Sequence, residues 1–404
     1  MPSRAPLCAW IASCALVLPS IAVAQERSAQ DVVEAIVRDG PRAIAIRADV
    51  EVVRREQQAR LVFPNLGVAY SREAAGFAEF LQVEQPLPIF GVRGALSRAG
   101  VAATATAEAE RDARLWELRT DATRLVARLL AAQARVEAAG DDRQAVEQLI
   151  GVLRVREREG EGSRFDRLRA EQELAELKQA AVAAAVDASD TRAALTALLP
   201  HGVSITRVTG PFYQRRPPVN ADTLVARAQA TRAELRALQF ASDRSAREAE
   251  AARRARVPAP LVTGGLKRAD NGNERERGGV FGVSVAVPLF DPGSRDAARW
   301  TAEGARITAE RAQIEQQVRA DIVRVVEALA LRQRALDEAG TDSLGADLVS
   351  TAEIAYREGE VGILVLLDAV RTASRARMRD IEMRLDVRLA QVALERAVGE
   401  GLWP

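Results

Sequence analysis

The sequence predicts a mainly α fold with a small β part, built as a duplicated unit of helix, strand, strand, long helix, turn and helix. Three observations carry this reading. Val92 to Arg158 is an Ala-, Arg- and Glu-rich stretch that would reach about 100 Å at 1.5 Å per residue, far beyond an ordinary globular helix. Short stretches with a period of two interrupt the helical pattern. The clearest is Val280 to Phe290, where Val283, Val285, Val287 and Leu289 alternate with Gly282, Ser284, Ala286 and Pro288. Landmarks also recur in step: Pro88-Ile89-Phe90 and Pro288-Leu289-Phe290 lie 200 residues apart, as do Ala139-Gly140 and Ala339-Gly340, while Gly160-Glu161 and Gly359-Glu360 lie 199 apart.

Residues 1–24 read as a secretory signal, with Arg4 at the positive end, an apolar run over Ile11 to Val23 and an Ala22-Val23-Ala24 cleavage pattern. A lipidation site at Ile11-Ala12-Ser13-Cys14 stays open as an alternative, although it would leave an apolar region of only about six residues, below the usual range of roughly 7 to 15. Both cysteines, Cys8 and Cys14, lie inside this segment, so cleavage after Ala24 excludes disulfides, thiol catalysis and Cys metal sites. The 57 basic and 56 acidic residues leave a net charge of +1, which argues against a nucleic-acid partner. Beyond the signal no apolar run reaches the roughly 18 residues of a membrane-spanning helix. A soluble periplasmic protein or a β-barrel remains.

The first copy is expected over residues 25–200. Asp31 to Arg60 is helical in pattern, with a break at Gly40-Pro41. A β-hairpin follows at about 61–88, where Leu66, Val68 and Tyr70 alternate with Gly67, Ala69 and Ser71, and Leu81, Val83 and Leu87 stand opposite Gln82 and Glu84. The helical hairpin at about 92–199 is loosened at Gly140-Asp141-Asp142 and turns at Gly160-Glu161-Gly162-Ser163, with Ser163 placed to cap the next helix. Residues 201–220, with Pro211, Pro217 and Pro218, read as an extended linker. The second copy, 221–404, repeats the plan: a helix to about Arg256, a β-hairpin at about 258–290 and a helical hairpin at about 294–400.

Two hairpins supply four strands, whereas single-chain bacterial membrane barrels start at about eight. Four strands cannot close, and open edges cannot face lipid, so a barrel needs several chains; three would give twelve strands. Gly67, Ala69, Ser71, Gln82, Glu84, Gly282, Ser284 and Ala286 would line its lumen, and Leu81, Val83, Val283, Val285, Val287 and Leu289 would meet lipid. The alternative reading of the strands is a small soluble sandwich between helices. No nucleophile–base pair, phosphate loop or ligand cluster stands out, and His201 is the single histidine, so no enzyme activity, cofactor or metal site is expected.

The signal segment, the duplicated hairpin and long-helix units, the Pro-Leu-Phe motif and the glycine turn followed by an Asp-bearing run together resemble the TolC-like outer membrane efflux proteins, across essentially the whole mature chain. The compact length and the run from Arg158 to Glu171 are most similar to the heavy-metal efflux (CzcC-like) branch. The resemblance implies a homotrimer in the outer membrane of a Gram-negative bacterium, with a twelve-stranded β-barrel continued by a twelve-helix α-barrel through the periplasm. It implies a passive exit duct with two partners, a periplasmic adaptor (membrane fusion protein) and an inner-membrane efflux pump of the RND type, and heavy-metal cations as candidate substrates. Gly160, Glu161, Gly162 and Ser163, with Gly359, Glu360, Val361 and Gly362, match the docking turns at the periplasmic tip. Asp166 and Tyr356 match positions whose polar contacts hold the helices shut and Asp368 matches an acidic position that rings the narrow entrance, while Val361 and Val365 stand where other members carry an arginine and a second aspartate. Ile363, Leu364 and Leu366 then offer a hydrophobic constriction. A soluble periplasmic coiled-coil scaffold or adaptor is the alternative from a different class.

Overall fold

The computed structural model describes residues 25–73, 77–270, 274–287, 294–340 and 343–403. The expected signal segment, with Cys8 and Cys14, and the landmark Pro288-Leu289-Phe290 lie outside the described residues.

A short strand, β1 (Gln25–Ser28), leads into helices α1 (Ala29–Asp39) and α2 (Pro41–Ala59). Ser28 caps α1 by accepting a hydrogen bond from the Asp31 amide at 3.1 Å. The chain bends at Gly40, where a Cβ would sit 2.4 Å from the Ile36 carbonyl oxygen and 2.7 Å from that of Leu198, so only glycine lets Pro41 start the second helix here. Strands β2 (Gly67–Glu73) and β3 (Ala78–Pro86) form a hairpin, followed by the 68-residue helix α3 (Val92–Glu159) and by α4 (Arg164–Thr196), which packs back along it. Strand β4 (Ile205–Thr209) precedes the second copy: α5 (Ala221–Thr231), α6 (Ala233–Ala255), β5 (Leu261–Asp270), β6 (Arg275–Ser284), α7 (Ser294–Ala339), α8 (Ser343–Arg357) and α9 (Ile363–Val398).

Each copy has an apolar core where its short opening helix lies on its long one. Val32, Ile36, Leu118, Leu129 and Leu195 form the first; Leu224, Val225, Ile322, Leu394 and Val398 form the second. A third core near the turns joins Val146, Ile150 and Leu153 of α3 to Ile363, Leu366 and Leu367 of α9. Beside the sheet, Arg60 after α2 donates two hydrogen bonds, at 2.5 and 2.7 Å, to the buried carboxylate of Glu248 on α6, tying one copy to the other. That contact holds the Arg60 guanidinium above its ordinary pKa.

Five details differ from the sequence reading. The linker contains β4, which pairs in parallel with β1, and its Ile205 and Val208 enter the first core. Helix α3 runs unbroken through Gly140-Asp141-Asp142, whereas α7 stops at Ala339 and Gly340 takes a left-handed φ of 73°. In α3 the buried Ala138 and Ala139 pack on one side of the glycine, and the buried Asp142 carboxylate accepts from Arg377 at 2.9 Å on the other. These contacts outweigh the roughly 1 kcal/mol helix penalty of a glycine. The helix expected from Ala221 to Arg256 is broken at Arg232, which is extended (φ −61°, ψ 122°) and donates to the Ala397 carbonyl at 2.6 Å. The last strand ends at Ser284, so Val285 and Val287 follow it as exposed irregular chain. Its final partner is Leu261, and the neighbouring Pro258 and Pro260 have no amide N–H to extend the ladder. At the other end β6 extends to Arg275, so residues expected in a polar loop are paired strand.

Candidate functional site

The two hairpins meet edge to edge in one antiparallel sheet of order β2-β3-β5-β6. Directly paired residues share a face. Val68 pairs with Val83, Val83 with Gly264 and Gly264 with Phe281; one step along, Tyr70 pairs with Leu81 and Leu81 with Leu266. These residues and Val283 therefore form one apolar face, and it is open: Val68 is 73% exposed, Leu266 68% and Phe281 78%. The other face carries Ala69, Ser71, Gln82, Glu84, Thr263, Lys267, Gly282 and Ser284. Alternation of small or polar with branched apolar residues produces the two faces. Of the expected lipid-facing residues, Leu81, Val83 and Val283 lie on the apolar face; Val285 and Val287 do not belong to the strand, and Leu289 lies outside the described residues. Strands β2 and β6 are both edges, each paired on one side only.

The turns between long helices repeat one geometry. Gly160 and Gly359 hold φ of 81° and 78°, and in each turn the next residue closes back on the helix: the Glu161 amide donates to the Arg156 carbonyl at 2.9 Å, and the Glu360 amide to the Ala355 carbonyl at 2.9 Å. Both turns are largely exposed. Their exits differ, because Ser163 caps α4 through the Phe165 amide at 3.1 Å, while Gly362 starts α9 without a side-chain cap. Gly162 lies close against Arg156, Val361 is half-buried and Gly362 is exposed.

Behind these turns the chain gathers Tyr356, Asp166 and Arg156. The Arg156 guanidinium lies 5.6 Å from the centroid of the Tyr356 ring. Burial pushes the Tyr356 phenol above its ordinary pKa, the nearby Asp166 charge adds to this, and Arg156 opposes it. Arg156 was not singled out from sequence, since one more arginine in a charged helix carries no signal until the fold sets it over a ring. The same holds for Arg167, which bridges Glu157 at 2.6 Å and Glu171 at 2.9 Å and so ties α4 to α3. Asp368 is exposed on α9, where its charge acts on Arg371, the partner of buried Glu173.

Ile363 and Leu366, read as part of a hydrophobic constriction, are 3% and 2% exposed and pack against Val146, Ile150 and Leu153. They hold α9 to α3. Leu364 and Val365 are exposed. Among the described residues no helix is long and apolar enough to cross a membrane, and no group of three His, Cys, Asp or Glu side chains is arranged to hold a metal ion.

Residues 224–400 match the protein family described as Outer membrane efflux protein. None of the curated proteins matches the chain. Among solved structures the chain is similar to CusC, whose structures are described in terms of transmembrane channel formation, with a TM-score of 0.70, 16% identity and coverage of 93% of each chain. It is similar to the Campylobacter jejuni CmeC outer membrane channel (TM-score 0.72, 12% identity, 92% of this chain and 85% of that one). It is also similar to the Neisseria gonorrhoeae MtrE outer membrane channel in its open state (TM-score 0.68, 18% identity, 93% of this chain and 89% of that one). The chain thus carries the fold of outer membrane channels over more than nine-tenths of its length, and its second copy matches the outer membrane efflux protein family.

Proposed function

We propose that this chain is the outer membrane channel component of a tripartite efflux system, a passive exit duct from the periplasm to the exterior. The observation that carries the reading is the open sheet, with an exposed apolar face and an unpartnered edge on either side. An edge left in water is a template for pairing, and one left in lipid has unsatisfied N–H and C=O groups. Closure with two further copies removes every edge and gives twelve strands, within the range of outer membrane barrels. The apolar face then meets lipid, and the face with Gln82, Glu84, Lys267 and Ser284 lines a wet pore.

In this reading the helical hairpins of three chains continue the pore through the periplasm. The turns at Gly160 to Ser163 and Gly359 to Gly362 meet the adaptor, and an inner-membrane pump of the RND type drives transport. Tyr356, Asp166 and Arg156 brace the entrance, with Asp368 near it on α9. Heavy-metal cations are the substrate class to test first, on the resemblance of the Arg158 to Glu171 run.

The purified full chain is expected to be a trimer that requires detergent and raises the conductance of a planar bilayer. A water-soluble monomer without conductance, as a periplasmic scaffold would be, overturns the proposal. A deletion strain should become sensitive to heavy-metal cations; sensitivity to drugs alone would replace the substrate class and leave the duct.

A further inference from the structure

We propose that the apolar face of the sheet ends, at its hairpin side, in a docking row for the phosphates of lipid A, the anionic glycolipid anchor of an outer leaflet. The proposal rests on the channel reading for its orientation. The register sets Arg72, Glu79, Arg268 and Arg277 in one line across all four strands. Two residues back along each strand the line reads Tyr70, Leu81, Leu266 and Gly279. Because strand residues two apart share a face, the charged row lies on the apolar side, about 7 Å beyond the last apolar line.

The row carries three guanidinium groups and one carboxylate. Arg268 and Arg277 stand directly opposite each other, a like-charge pairing that destabilises a sheet left to itself. Among the described residues neither has an ion-pair partner, and both are exposed. Glu79 is already engaged, accepting from the Tyr70 hydroxyl at 3.4 Å and lying 4.0 Å from Arg72. The next cation towards the loop, Arg275, is matched by Asp270 at 3.1 Å. On the opposite face Lys267 pairs with Phe80 and Gly278, and the next line towards the loop carries Glu73 and Glu276, so the excess of positive charge lies on the apolar side.

A phosphate placed between Arg268 and Arg277 turns their repulsion into two charge-assisted contacts, and guanidinium forks suit phosphate oxygens. Adjacent strands lie about 5 Å apart, so neighbouring arginines can engage one headgroup together. Tyr70, one line below, supplies the amphipathic ring expected where hydrocarbon gives way to headgroups, and the Phe77 ring lies 5.2 Å from the Arg72 guanidinium. Lipid A offers two phosphates on one rigid saccharide, which fits a row of paired cations better than the single phosphate of a glycerophospholipid.

The test uses the detergent-solubilised full chain and measures binding of lipid A, of lipid A stripped of its phosphates, and of phosphatidylglycerol by native mass spectrometry. The wild type should bind lipid A, and the double variant R268Q/R277Q should bind it at least tenfold more weakly. K267Q, on the same strand as Arg268 but the opposite face, should bind as the wild type does. Unchanged binding by the double variant, an equal loss in K267Q, or equal affinity for phosphatidylglycerol or for dephosphorylated lipid A would overturn the row. Bilayer conductance separates the two readings. A conducting double variant with undiminished lipid A binding removes the docking row alone, whereas a wild type that neither trimerises nor conducts removes the channel.

Discussion

Gly160 and Gly359 hold a left-handed backbone in which a side chain costs about 1–2 kcal/mol. Replacing either with valine should reshape an exposed turn without touching the cores, so adaptor docking weakens while the trimer persists. Unchanged efflux by both variants would remove the docking role. Glu395 on α9 carries a different kind of constraint. It accepts the amides of Leu402, at 3.3 Å, and Trp403. Burial pushes its carboxyl above the ordinary value of 4.5, against the pull of Arg388. A folded-state pKa above the unfolded one means that the folded chain holds this proton more tightly. The associated stability is complete below the ordinary value and is lost as pH rises through the folded one. Glu395→Gln keeps the acceptor and removes the proton, so thermal melts of the variant should decline less between acidic and neutral pH. Superimposable profiles would contradict this. The turn glycines were legible in the sequence because positive φ has so few alternatives. The contact of Ile363 with α3 was not legible, because helical spacing marks an apolar face without saying which neighbour covers it.

The strands make the sharpest prediction at the level of elements. Leu81 and Gln82 are adjacent in β3 yet occupy opposite faces, so a lysine at each samples two environments. Leu81→Lys should cost about 2–4 kcal/mol in each chain if that face meets the middle of the bilayer, while Gln82→Lys should cost little. The fraction of heat-resistant trimer recovered from membranes reports the difference; equal recovery would mean that the two faces see the same solvent. The period of two made these faces legible before any fold was known. Their ends were not, because Arg275 to Gly279 lacks the alternation and is held as strand by pairing with Leu266 to Asp270. Strand β1, four residues long and polar apart from its context, has no pattern to read; its partner β4 creates it.

At the scale of the molecule the duplication was legible from glycine and proline landmarks, since those residues punctuate elements whatever packs around them. What the copies do differently was not. Gly140 is absorbed into α3 because buried neighbours hold it, while Gly340 ends α7, and the two positions sit in the same local sequence, Ala-Gly. The pairing of β1 with β4 also sets an order of events. The Thr209 hydroxyl donates to the Arg27 carbonyl across 182 residues of chain. Ribosomes deliver the N-terminus first, at about 5–20 residues per second, so Arg27 waits roughly 10–40 s for its partner to be made. The start of the chain is therefore among the last parts of the first copy to be fastened. Until β4 is made, β1 has no strand to pair with.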